Sequence, residues 1–204
     1  MPESKKHWET IYHTKADLEM DWFQAIPKKS LQLIEKYSES KQHKIIDIGG
    51  GNSNLTKTLC SRGFKQFSVL DISEVAIERS RAKLQKCKAM HDLIVSNILE
   101  FTPSTTYHIW HDRAVFHFLT QPEDIKKYVS IASKNIQKSG YLILATFSLT
   151  GPSECSNLPI TRYNVHMLEK LFSESFSLVE SIEETHLTPQ GAEQEYVWVV
   201  LQRN

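Results

Sequence analysis

The stretch IIDIGGGNSNL, residues Ile45 to Leu55, sets three consecutive glycines behind an aliphatic run that carries a single acid. Glycine gives up more backbone freedom on folding than any other residue. Three together inside a folded chain therefore mark a place that requires bare main chain. The run HKIIDIG, His43 to Gly49, is apolar on both faces, the pattern of a strand buried in a parallel sheet. A helix is expected directly after it, over Leu55 to Arg62. The glycines then fall between a strand's carboxyl end and a helix's free N–H groups. Gly49 and Gly51 can adopt positive φ there and let a ligand touch the backbone.

The rest of the chain repeats this rhythm. Helices are expected over Lys29 to Tyr37, Glu74 to Lys86 and Pro122 to Ile136, with Ser73 as N-cap of the second. Strands are expected at Phe67 to Ser73, Asp92 to Ser96, Tyr107 to Trp110 and Tyr141 to Phe147. Strands joined through helices imply right-handed crossovers and a parallel sheet covered on both faces. After Phe147 the rhythm breaks. A polar, proline-interrupted loop up to Tyr163 reads as neither strand nor helix, and a short helix, Val165 to Phe172, follows. The last two strands, Phe176 to Glu184 and Glu195 to Gln202, have no helix between them and read as an antiparallel hairpin. The fold class is α/β: a single domain over residues 1–204, on a mostly parallel sheet with an antiparallel C-terminal hairpin.

Composition narrows the partners. The 204 residues carry 24 basic and 24 acidic side chains, so there is no electrostatic footprint for nucleic acid or an anionic membrane. No apolar stretch is long enough to span a bilayer, and Met1 to Trp22 lack the apolar core of a signal peptide. Cys60, Cys87 and Cys155 are widely spaced and form no CxxC pair. That suits a reducing compartment and speaks against a disulfide framework or a structural zinc site. A cytoplasmic protein without a metal is the expectation.

The second strand ends in Asp71, an acid placed to accept two ribose hydroxyls. A dinucleotide turn reads GxGxxG, but the sixth position here is Asn54, and Asp47 precedes the first glycine by two residues. A carboxylate there repels a pyrophosphate and attracts an ammonium group. Asp47-Ile-Gly49-Gly-Gly51-Asn-Ser53 resembles the first motif, (D/E)xGxGxG, of the class I S-adenosylmethionine-dependent methyltransferases, with Ser53 in place of the third glycine. The resemblance runs from about Trp8 to Leu201 and implies that family's Rossmann-like three-layer sandwich with a seven-stranded sheet. It also implies S-adenosyl-L-methionine as cofactor and S-adenosyl-L-homocysteine as product. Asp47 would lie near the amino acid tail, beside Gly49, Gly50 and Gly51, with Asp71 on the ribose. Asn97 stands where the family usually has Asp beside the adenine amine. Its amide oxygen can still accept from that amine, and it reads alternatively as a turn cap. Ile72 and Ile98 are expected to flank the adenine.

The densest chemistry lies in HIWHDRAVFHFL, His108 to Leu119, a segment that lines the sulfonium and the acceptor in the related enzymes. His111 and His117 are the candidate bases, with Asp112 beside them. Asp112 and Arg113 read alternatively as an ion pair bracing the strand end. Trp8, Tyr12, Trp22 and Phe23 lie too far apart for one helical stripe. In the family that the chain resembles, a WxxxY segment followed by a WF pair often folds over the cofactor, so the resemblance implies that residues 1–28 form a lid. Trp22, flanked by acid and amide groups, would lie in the pocket; aromatic walls suit a sulfonium, and the alternative is ordinary core. A capping loop, residues 148–165, offers Cys155, Arg162 and Tyr163, alongside Arg113, as acceptor contacts. Cys155 reads as a contact rather than a nucleophile, and His186 and Gln194 are expected at the same mouth.

The expected reaction is in-line transfer of a methyl group to a small-molecule acceptor, with no metal. A protein-lysine amine is the alternative acceptor. Two further readings are a non-catalytic S-adenosylmethionine-binding protein and a nicotinamide oxidoreductase. The Asp/Asn-Pro-Pro-Tyr/Phe tetrapeptide of nucleic-acid amino-methyltransferases is absent, and with the neutral charge this speaks against DNA or RNA as substrate.

Overall fold

The computed structural model describes residues 2–204, so Met1, the first residue of the expected domain, lies outside the described residues. Two helices, α1 (Pro2–Thr14) and α2 (Lys28–Tyr37), precede the sheet. Then come β1 (Lys44–Ile48), α3 (Leu55–Ser61), β2 (Gln66–Asp71), α4 (Glu74–Leu84), β3 (Met90–Val95), β4 (Tyr107–Arg113), α5 (Pro122–Asn135) and β5 (Ile136–Phe147). The chain ends with β6 (Glu154–Cys155), β7 (Leu158–Pro159), α6 (Val165–Phe172), β8 (Phe176–Leu187) and β9 (Glu193–Arg203). The seven-stranded sheet runs β3-β2-β1-β4-β5-β9-β8. It is parallel from β3 to β5, and β9 is antiparallel to both its neighbours. Strand order reverses between β1 and β4, so the glycine turn opens at the switch point, where α/β sheets bind ligands.

Ile45 and Ile46 are both fully buried because successive strand residues face opposite layers. Ile45 joins the layer holding Leu33 and Ile34 of α2 and Leu59 of α3. Ile46 and Ile48 join the layer holding Tyr128 of α5 and Phe172 of α6. Each buried aliphatic side chain of this kind contributes about 1.5–3 kcal/mol. Ser73 caps α4 as expected, its hydroxyl accepting from Ala76 N–H at 3.1 Å.

Two local expectations need correction. The segment read as plain loop carries the small β6–β7 hairpin. Its turn, Ser156-Asn157, has positive φ at both residues, the two-residue geometry usually signalled by Asn-Gly and harder to recognise here. Second, Cys60 and Cys87 form a disulfide with Cα atoms 6.1 Å apart. They are 27 residues apart in sequence, and the packing of α3 against α4 brings them together. Trp8 and Tyr12 lie one turn apart on α1, with ring centroids 6.2 Å apart, whereas Trp22 and Phe23 lie beyond that helix, so the four form no single helical stripe, as expected. Among the described residues no helix is long and apolar enough to cross a membrane.

Candidate cofactor site

The carboxyl ends of β1, β2, β3 and β4 open into a cavity of about 280 Å³. Gly49, Asp71, Ile72, Asn97, Ile98 and Arg113 line its floor and sides, and Trp8, Tyr12 and Trp22 line it from the N-terminal segment. Cys155 of β6 reaches the same cavity. The glycines are bare chiefly because the chain's own groups occupy their flanks. A Cβ on Gly49 would come within 2.2 Å of Val115 Cγ2, and one on Gly50 within 2.2 Å of Asp47 Oδ2. A Cβ on Gly51 would meet Ala76 Cβ at 2.6 Å and Asp71 Oδ2 at 2.8 Å. Of the two glycines free to adopt positive φ, Gly49 uses that freedom (67°) and Gly51 does not.

Asp71 is buried at the end of β2 and accepts from Gly51 N–H at 3.1 Å and Ser73 N–H at 2.9 Å. Burial pushes its pKa up to about 6, opposed by those two N–H donors. It stands as an acceptor pair facing the cavity. Asn97 fulfils the cap reading, accepting from Leu99 N–H at 3.0 Å, and also lines the cavity.

A second cavity of about 60 Å³ adjoins the glycine turn, lined by Trp22, Ser30, Asp47, Gly50, His111 and Arg113 among others. Asp47 and His111 are direct neighbours in the β1–β4 register. His111 Nδ1 lies 2.7 Å from Asp47 Oδ1, and its Nε2 lies 3.0 Å from the Ser30 hydroxyl of α2. All three side chains are buried. Asp47 Oδ2 is buried without a hydrogen-bond partner among the described residues. Arg113 donates from Nη1 to the Trp22 carbonyl at 3.0 Å and lies 4.8 Å over the Tyr196 ring, while its Nε and Nη2 are buried without a partner among the described residues. A carboxylate oxygen and a guanidinium, both short of partners, thus line one small cavity.

The other candidates lie elsewhere. Asp112 faces the opposite layer from Arg113, so the two form no ion pair. It accepts from the Tyr128 hydroxyl at 2.6 Å and from Val115 N–H at 2.8 Å. His117 is fully buried against Phe147, with both ring nitrogens unpartnered among the described residues, and does not line the cavity. Burial, helped by the Arg113 charge, drives its pKa down to about 3. Tyr163 packs on Phe116 in the core, and Arg162 is exposed and donates to the Gly151 carbonyl. His186 Nε2 is 2.7 Å from the Asp21 carbonyl, and Gln194 is buried away from the cavity. Burial pushes the Cys155 thiol up to about 12, so it is no nucleophile at neutral pH. Sequence reasoning missed Ser30, whose place on the apolar face of SLQLI is itself a sign of a buried partner. It also missed Glu9, which docks α1. The Glu9 carboxylate accepts from Ser73 Oγ at 3.1 Å and from Glu74 N–H at 2.7 Å, capping α4 from another element.

The profile of a family described as a methyltransferase domain matches residues 39–198. The chain belongs to that family. It is a class I, S-adenosylmethionine-dependent methyltransferase by fold and family. Human EEF1A lysine methyltransferase 2 is 22% identical to it over 194 residues, covering 88% of this chain and 76% of that protein. The mouse eEF1A lysine and N-terminal methyltransferase is 25% identical over 134 residues, 61% of this chain but only 19% of that longer protein. Among solved structures, the 1,6-didemethyltoxoflavin-N1-methyltransferase of Burkholderia thailandensis superposes with a TM-score of 0.76 at 13% identity, covering 98% of this chain and 87% of that one. At that identity the likeness speaks for the methyltransferase fold alone.

Proposed function

We propose that this methyltransferase transfers the methyl group of S-adenosylmethionine to a small-molecule acceptor. When bound, the cofactor supplies an electrophilic methyl on a sulfonium; the chain supplies binding, alignment and dryness. Asp71 accepts from the ribose hydroxyls, and Ile72 and Ile98 sandwich the adenine beside Asn97. Asp47 and Arg113 hold the ammonium and carboxylate of the amino acid tail, a pairing supported by their unmet charges across the 60 Å³ cavity. Trp8 and Trp22, with centroids 5.8 Å apart, exclude water from the methyl and offer π-faces to its charge. Histidine catalysis has no place in this reading, since His117 lies outside the cavity and both nitrogens of His111 are engaged. The acceptor delivers its proton to solvent.

The observation that carries the small-molecule reading is that two segments partly roof the larger cavity. Residues 1–28, proposed as its lid, reach it through Trp8, Tyr12 and Trp22, and the capping loop, residues 148–165, reaches it through Cys155. Methylation of a protein lysine is the second reading, favoured by the eEF1A lysine methyltransferases among its relatives. A tritiated-methyl transfer assay over small amines, thiols and hydroxy compounds, run beside eEF1A and a protein lysate, separates the two. Label only in protein would overturn the first reading.

A further inference from the structure

We propose that His111 is a positioning residue: through Asp47 it fixes the carboxylate that reads the ammonium of the cofactor's amino acid tail, with Ser30 as its anchor. The inference rests on the cofactor reading above and deepens it. A carboxylate only accepts, so the proton on the imidazole sits at Nδ1, 2.7 Å from Asp47 Oδ1. That leaves Nε2 as acceptor for the Ser30 hydroxyl at 3.0 Å. One ring therefore ties β4, β1 and α2 together, with both nitrogens committed and neither available to take an acceptor's proton. The tie uses one Asp47 oxygen and leaves the other, Oδ2, unpartnered beside Gly50. Gly50 belongs to the same arrangement, because any Cβ there would strike that oxygen.

The test compares three ligands by calorimetry on the full chain: S-adenosylhomocysteine, its analogue lacking the α-amino group, and 5′-methylthioadenosine, which lacks the tail. The parent protein is expected to bind S-adenosylhomocysteine more tightly than the des-amino analogue. His111→Phe should weaken S-adenosylhomocysteine about tenfold, the loss expected for one charge-assisted hydrogen bond. It should erase the preference for the amino group and leave methylthioadenosine unchanged. His111→Asn, whose amide nitrogen replaces Nδ1, should restore the preference. Equal weakening of all three ligands by His111→Phe would mark a merely structural role and overturn the proposal, as would an unchanged preference. A parent that binds methylthioadenosine and S-adenosylhomocysteine equally would sink the tail site while leaving the cofactor reading intact; binding of neither would sink both. Should His111→Phe fail to fold, Ser30→Ala carries the test, with a smaller loss confined to the amino preference expected and no loss counting against the proposal.

Discussion

Asp71 is a buried carboxylate whose geometry and ionisation are both set by its surroundings, and the proposed ribose role depends on both. Two backbone N–H groups fix both its oxygens, while burial holds its pKa near 6, well above the ordinary value of about 3.9. Acceptance of two hydroxyls needs the ionised form. Affinity for S-adenosylhomocysteine should therefore fall as the pH drops below about 6, approaching tenfold per unit as one proton is taken up. Asp71→Asn should bind more weakly at neutral pH and lose that pH dependence, with the fold intact by circular dichroism. A parent-like affinity profile in the variant would exclude the ribose role. His117 teaches the opposite lesson, since an imidazole next to a cavity-lining segment is here a piece of core.

At the level of elements, α1 is held to α4 from both ends. Glu9 caps the N-terminus of α4, and Arg79 of α4 donates to the Tyr12 and Lys15 carbonyls at the end of α1. Glu9→Ala should leave the Glu74 and Val75 N–H groups without this acceptor while Ser73 still caps α4, costing about 1 kcal/mol. It should also speed release of S-adenosylhomocysteine in stopped-flow measurements, because the same helix carries Trp8 and Tyr12 over the cavity. Release at the parent rate would show that α1 is not the lid. The Cys60–Cys87 disulfide ties α3 to the segment after α4 and closes a loop of 27 residues' separation. By the chain-entropy account its loss should lower stability by about 3–4 kcal/mol. Thermal unfolding of the Cys60→Ser/Cys87→Ser protein, compared with the parent under non-reducing conditions, measures the difference.

For the whole molecule, the alternating order of strands and helices was legible because buried parallel strands and capped helices leave local signatures, and the motif around Asp47 and Asp71 pointed to the ends of β1 and β2 where a cavity opens. What sequence could not convey was direction and distance. Asp112 and Arg113 are adjacent in the chain, yet strand alternation sends them to opposite layers. The Glu9, Ser30 and Cys60–Cys87 contacts join segments remote in sequence and have no local pattern. Those same buried groups set how stability responds to pH. Asp71 and Asp112 each have a folded pKa raised to about 6, chiefly by burial, so between about pH 4 and 6 the native state holds two protons the unfolded chain has released. Their contribution makes stability fall as pH rises through that window. His117 acts against them. Its folded pKa is lowered to about 3, so over the same window the unfolded chain is protonated at this site and the native state is not, and stability rises with pH. Two protons outweigh one, and from these three groups stability should decline by about 1 kcal/mol per pH unit. His117→Leu removes the opposing proton and should roughly double the slope, whereas Asp112→Asn should nearly flatten it. Urea unfolding at several pH values across the window measures both. Identical slopes in the parent and His117→Leu proteins would mean that the buried imidazole is charged in the native state.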